Sequence, residues 1–134
     1  MFLRKHPSLV PCIALAVAAL GAAHAATPAE LAAGYASQAG TTAAAARGEQ
    51  FFTDKHGREW ACASCHGTPP TQAGKHAATG KPISALAPAF NPERFTDPAK
   101  VEKWFRRNCN DVVGRECSAG EKADVLAWLM TLKK

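Results

Sequence analysis

Two cysteines separated by two residues, with a histidine directly after the second, constrain this chain more than any other feature: Cys62-Ala63-Ser64-Cys65-His66. In a C-x-x-C-H motif each sulfur can add to a haem vinyl group, and the histidine can then reach the iron from one side. The spacing matters because the two vinyl groups sit on neighbouring rings. In a chain of this composition chance gives roughly 0.007 such motifs. A thioredoxin-like redox pair wants a βαβ setting, and the sequence offers no strand candidate. A zinc site would need two further ligands at metal spacing. The motif therefore points to one haem c, bound covalently through Cys62 and Cys65, with His66 as an iron ligand.

Covalent haem attachment belongs to exported proteins, and the first residues read as an export signal. Arg4 and Lys5 form a positive start, Leu9 to Ala23 is apolar or small without a charge, and Ala23-His24-Ala25 has the form of a cleavage site. Residues 1–25 are read as a signal peptide cleaved near Ala25, which places the protein in the periplasm. The uncharged run is shorter than the ~20 residues of a membrane span, so no span is expected in the mature protein. Cys12 lies early in that run and is lost with it. Residues 26–134 then carry 14 basic against 11 acidic side chains, or +3. That is too mild for nucleic acid. It leaves room for a weakly basic face that meets an acidic partner protein.

The mature chain is small, all-α and rich in loops. Residues 26–43 form an extension with a short helix opening at Thr27-Pro28-Ala29-Glu30, and residues 44–134 form the monohaem domain. A helix over about 43–55 places Gly48, Phe51, Phe52 and Lys55 on one face. Residues 67–97 hold five prolines and three glycines and fit no long helix. A loop that long makes sense wrapped around something rigid. A helix starts at Thr96-Asp97-Pro98 and puts Val101, Trp104, Phe105 and Asn108 on one face, with Lys100, Lys103, Arg106 and Arg107 mostly towards water. The last helix opens on a capping box, Ser118 to Glu121, and carries Leu126, Leu129 and Met130 as its apolar stripe.

The second side of the iron is less determined. Met130 is the only methionine besides the initiator, and its place on the last helix reads as core. His76 follows His66 by ten residues, too short a loop to cross to the other face of the ring. His56 reads as a surface residue. Asn108 is an amide on an apolar stripe, where it needs a partner; a backbone group or a haem propionate would serve as well as iron.

The arrangement resembles the class I cytochromes c, in which an N-terminal helix with a glycine and an aromatic crosses a C-terminal helix such as Asp124-Val125-Leu126-Ala127-Trp128-Leu129. The chain departs from them in lacking a loop methionine. It resembles most closely the SHP (sphaeroides haem protein) family of c-type cytochromes. Ala87-Pro88-Ala89-Phe90-Asn91-Pro92-Glu93-Arg94-Phe95-Thr96-Asp97, the stretch from Val101 to Cys117, and Gly120 to Leu129 carry the resemblance, with Leu31-Ala32-Ala33-Gly34-Tyr35 near the start. The resemblance implies that Asn108, not Asn110, is the second iron ligand, and that Cys109 pairs with Cys117. It further implies binding of small ligands such as O2, NO and CO at the reduced iron, and electrons received from a redox partner, a dihaem cytochrome c. The alternative is a plain electron carrier with Met130 or His76 as second ligand. Nothing in the sequence sets a catalytic acid or distal histidine beside the iron, so turnover of a substrate is left open.

Overall fold

The computed structural model describes residues 25–134. The expected signal peptide lies, but for Ala25, outside the described residues. Five helices follow one another: α1 (Pro28–Ala39), α2 (Ala45–Thr53), α3 (Cys62–His66), α4 (Pro98–Val112) and α5 (Ala119–Thr131). A two-residue antiparallel hairpin, β1 (Gly74–Lys75) with β2 (Pro82–Ile83), interrupts the long loop. The fold class is the all-α one read from the sequence. The hairpin is not legible there, because two-residue strands show no alternation.

Local chemistry sets the helix ends. Thr27 Oγ1 accepts from the Glu30 N–H at 3.2 Å, and the Glu30 carboxylate accepts from the Thr27 N–H at 2.7 Å. Asp97 caps α4 by accepting from the Lys100 N–H at 3.0 Å, with Pro98 in the first turn. Ser118 and Glu121 complete the expected box on α5. The start of α2 has no cap from its own residues. There the Ala44 N–H donates to Asp124 Oδ1 of α5 at 2.7 Å, and Arg47 grips the same carboxylate at 2.7 and 2.9 Å. A nearly buried aspartate is thereby fully satisfied.

The core sits where α2 crosses α5. Phe52, Val125, Trp128 and Leu129 form its buried cluster, with the Phe52 and Trp128 rings 5.0 Å apart. Gly48 lies at the crossing, where a Cβ would overlap the Asp124 carbonyl oxygen. Two details of the sequence reading change. The α2 helix stops at Thr53, which leaves Lys55 exposed beyond it. On α5 it is Trp128, rather than Met130, that lies fully inside, because the helix meets both α1 and α2 and buries a wider arc than one stripe; Met130 is half-buried at its margin.

Helix α1 lies along α5 and is tied to α4 by a polar network. Tyr35 Oη donates to Glu102 Oε2 at 2.8 Å, and Lys122 Nζ donates to Glu102 Oε1 at 2.6 Å. The buried Lys122 ammonium also faces the Tyr35 ring at 5.2 Å and the Phe105 ring at 6.0 Å. Lys122 holds the Glu102 carboxyl below its ordinary pKa of 4.5, with Tyr35 adding a smaller share, while burial opposes both. A carboxyl depressed on folding stabilises the native state above its unfolded pKa and loses that contribution as pH falls through the folded value. Acid titration of stability should therefore show a loss beginning near pH 4.5 that is smaller in Glu102→Gln. At neutral pH that variant should itself be less stable by about 1 kcal/mol, since Glu102 is partly exposed. Equal acid profiles for the two proteins would contradict the assignment.

Candidate functional site

The motif forms its own short helix. The Ala61 N–H donates to Ser64 Oγ at 3.0 Å at its start, and the Gly67 N–H closes it onto the Ala63 carbonyl at 2.9 Å. Three residues apart on a helix, Cys62 and Cys65 share a face. Both thiols are unbridged and half-buried. Burial pushes the Cys62 thiol up to about 11. Gly67, at φ +79, turns the chain away after His66. The hairpin then folds back onto the motif: Gly74 comes so close that a Cβ would overlap the Cys65 carbonyl oxygen, and the Ala77 N–H donates to Cys65 Sγ at 3.2 Å.

His66 lies against Phe52, ring centres 6.1 Å apart. Its Nδ1 is buried without a hydrogen-bond partner. Burial pushes the imidazole pKa down to about 4, and the Arg94 charge adds to the effect. At neutral pH the ring is thus uncharged and keeps a lone pair for a metal. A cavity of about 400 Å³ opens beside it, lined by residues 66–69 and 71–73.

Helix α4 carries the next candidate ligand, Asn108. Val101, Cys109 and Val112 are buried, with Phe105 packed on the core cluster. Asn108 falls on the same side and is half-buried. Its amide makes no hydrogen bond among the described residues. Asn110, by contrast, is exposed and donates to the Arg106 carbonyl of its own helix at 2.8 Å. Trp104, expected on the buried stripe, is 41% exposed and lies between Lys103 and Arg107, at 5.9 and 5.6 Å from its ring. The reason is rotational: the buried arc of α4 is centred on Val101, Phe105 and Cys109, which turns Trp104 to its edge. Lys100, Lys103, Arg106 and Arg107 are exposed, as read from the sequence.

Cys109 and Cys117 form a disulfide across eight residues. It fastens the end of α4, one residue after Asn108, to the start of α5. Closing a loop of this length is worth about 2.5 kcal/mol in the chain-entropy account. Replacing both cysteines by serine should lower the free energy of denaturant unfolding by about that amount. An unchanged midpoint would show that the bridge does not constrain the unfolded chain.

The other ligand candidates are occupied locally. His76 sits in the hairpin turn, where its Nδ1 accepts from the Thr79 N–H at 3.2 Å. His56 is half-buried rather than free on the surface: its Nε2 bonds the Phe51 carbonyl at 2.8 Å, and its ring lies 4.4 Å from that of Phe51. The sequence reading misses Gly74 and Arg94. Each depends on a contact between distant parts of the loop, and no spacing rule signals it.

The residues present fit a haem group. Two unbridged thiols share a face, the adjoining histidine is neutral with an orphaned nitrogen, and α4 carries on its inner side an amide without a hydrogen-bond partner among the described residues. Helices α1 and α2 lie closely along α5, whereas α4 makes no comparable approach to another helix. No helix among the described residues is long and apolar enough to cross a membrane.

Comparison with known proteins agrees with this geometry. The family described as "Domain of unknown function (DUF1924)" matches residues 38–129. The cytochrome c-type protein SHP of Cereibacter sphaeroides is 52% identical over 107 residues, which cover 77% of this chain and 82% of that protein. Cytochrome c'' of Methylophilus methylotrophus is 48% identical over 91 residues, covering 65% of this chain and 63% of that protein. The solved structure of oxidised SHP, an oxygen-binding cytochrome c, superposes with a TM-score of 0.76 at 49% identity, over 81% of this chain and 99% of that one. The crystal structure of oxidised cytochrome c'' gives 0.70 at 40% identity, over 80% and 95%.

Proposed function

The chain belongs to the DUF1924 family and to the SHP-type cytochromes c, and from that footing we propose that it is a periplasmic electron-transfer and ligand-binding protein whose iron is held by His66 and Asn108. Its cofactor is haem c, attached through Cys62 and Cys65. When bound, haem c supplies an iron that cycles between ferric and ferrous states and accepts a sixth ligand.

The residues divide the work. His66 supplies a neutral imidazole from a helix end fixed by Ser64 and Gly67. Phe52 and the core behind it exclude water from that side. Asn108 offers an amide oxygen, a hard and neutral donor that suits ferric iron better than ferrous. With haem c bound, Asn108 would be held weakly by reduced iron, and its release would make room for a small ligand such as O2, NO or CO. The disulfide keeps the end of α4 in place while the side chain moves. The observation that carries this reading is the unspent amide of Asn108, set on the inner side of α4 while Asn110 is spent on its own helix.

Met130, on α5 at the margin of the core, and His76, held in its own turn, make the plain-carrier alternative weaker. Lys103, Arg106 and Arg107 form an exposed basic edge suited to an acidic redox partner, a dihaem cytochrome c by the family resemblance, whose docking would weaken with salt. Residues 1–25 act as a signal peptide in this reading, and 26–43 as an extension on the 44–134 haem domain.

The test is the absorption spectrum of the mature protein, ferric and then reduced without oxygen, before and after carbon monoxide. A weak-field ferric spectrum and a shift of the reduced bands on adding carbon monoxide are expected. A low-spin spectrum in both states, unmoved by carbon monoxide, would mean a closed site and a plain electron carrier.

A further inference from the structure

Arg94 lies in the loop between β2 and α4, half-buried, with its guanidinium turned onto main-chain oxygens. Its Nε donates to the Ala85 carbonyl at 3.1 Å and its Nη2 to the Ser84 carbonyl at 2.9 Å. Asn91 Nδ2 shares the Ala85 oxygen at 3.2 Å. These acceptors are neutral. None of the ion pairs among the described residues includes Arg94.

A guanidinium offers five N–H donors in a rigid planar fork that matches a carboxylate. Arg94 spends two on carbonyls. A cation drawn partly out of water against neutral groups keeps an unbalanced desolvation cost, and an anion is what offsets it. The direction of its pKa agrees: burial pushes it down, and no partner raises it.

The loop that carries Arg94 is anchored to the site. The Leu86 and Ala87 N–H groups both donate to the Pro70 carbonyl at 3.1 Å, and Pro70 follows His66 by four residues. Phe95, the next residue, packs on the cluster containing Phe52, whose ring lies 6.1 Å from that of His66. The loop that holds the guanidinium is thus tied to the segment and the core cluster next to His66, and haem carries two propionate carboxylates.

We propose that Arg94 binds haem c directly, pairing its free N–H donors with a propionate carboxylate while Ser84 and Ala85 hold the fork in position. The proposal rests on haem being attached at Cys62, Cys65 and His66. The pair offsets negative charge near the iron and so favours the reduced state.

The test compares Arg94→Gln, which keeps hydrogen-bonding capacity without charge, and Arg94→Lys, which keeps charge without the fork. Both are made in the haem-loaded protein. Two quantities are read: the reduction potential by anaerobic titration, and the propionate bending band in the resonance Raman spectrum. Arg94→Gln should shift the ratio of oxidised to reduced protein about tenfold towards oxidised, or ~59 mV for a one-electron couple, and should displace the band. Arg94→Lys should keep the potential close to that of the native protein and displace the band less. A band unmoved in both variants, or equal potentials in the two, would overturn the proposal and leave Arg94 as a fastener of its loop. If Arg94→Gln fails to fold with haem, the band of Arg94→Lys decides in the same way. Native protein without covalent haem would overturn the underlying site reading as well.

Discussion

Replacing Asn108 by methionine should weaken carbon monoxide binding by the reduced protein about 100-fold. An amide oxygen is a hard donor and a thioether a soft one, and soft donors favour the lower oxidation state. Asn108 in this account leaves ferrous iron and costs an incoming ligand little. A thioether in its place stays bound to ferrous iron. If it occupies the position for all but about one part in a hundred, the apparent affinity falls by that fraction. The reduction potential should rise at the same time, as methionine ligation does in other cytochromes c. Asn108→Ala should leave carbon monoxide binding by the reduced protein close to native, since Asn108 is already off ferrous iron. Carbon monoxide titration of the reduced native, methionine and alanine proteins checks this. Equal affinities of the native and methionine proteins would show that Asn108 does not stand at the iron.

The second large effect concerns the helix crossing. Gly48→Ala should destabilise the protein by about 3 kcal/mol, at the upper end for overpacked sites. The added Cβ would overlap the main-chain oxygen of Asp124 and crowd the Val125 nitrogen, and main chain cannot rotate aside as a side chain can. The α2 helix would be pushed off α5. That movement would strain the grip of Asp124 on Ala44 and Arg47 and loosen Phe52 against Trp128. Phe52 backs His66, so the disturbance should reach the site. Denaturant unfolding of haem-loaded protein gives the measurement. A change below 1 kcal/mol would mean that the crossing is slacker than described. Gly34 serves as the control: no atom lies within 4 Å of the place an added Cβ would take, so alanine there should be neutral or mildly stabilising.

The legible parts of this protein are those in which function needs a fixed spacing. Cys62, Cys65 and His66 announce a haem site because the chemistry of attachment tolerates little else. The capping residues Thr27, Asp97 and Ser118 announce helix starts because each needs an oxygen within one turn. The crossing of α2 and α5 is visible in Gly48 with Phe52 and in Trp128. The rest depends on contacts between residues far apart in the chain. Tyr35 and Glu102 are 67 residues apart and Glu102 and Lys122 are 20 apart, so no local pattern betrays their network. In the sequence Arg94 is an ordinary loop arginine, and only its carbonyl partners in the fold set it apart. Trp104 shares helical spacing with Phe105 and Asn108 and so reads as buried; the turn of α4 about its axis, which buries Val101, Cys109 and Val112, places it at the edge instead. Asn108 stands out in the sequence by its place on an apolar stripe. The structure adds that its amide is free of hydrogen bonds among the described residues.

The most direct measurement is a pair of crystal structures of the mature haem-loaded protein, oxidised and anaerobically reduced. The account predicts His66 on the iron in both, the Asn108 amide oxygen on the opposite side in the oxidised form, and that oxygen withdrawn in the reduced form. Met130 or His76 on the iron, or Asn108 bound in both states, would contradict it.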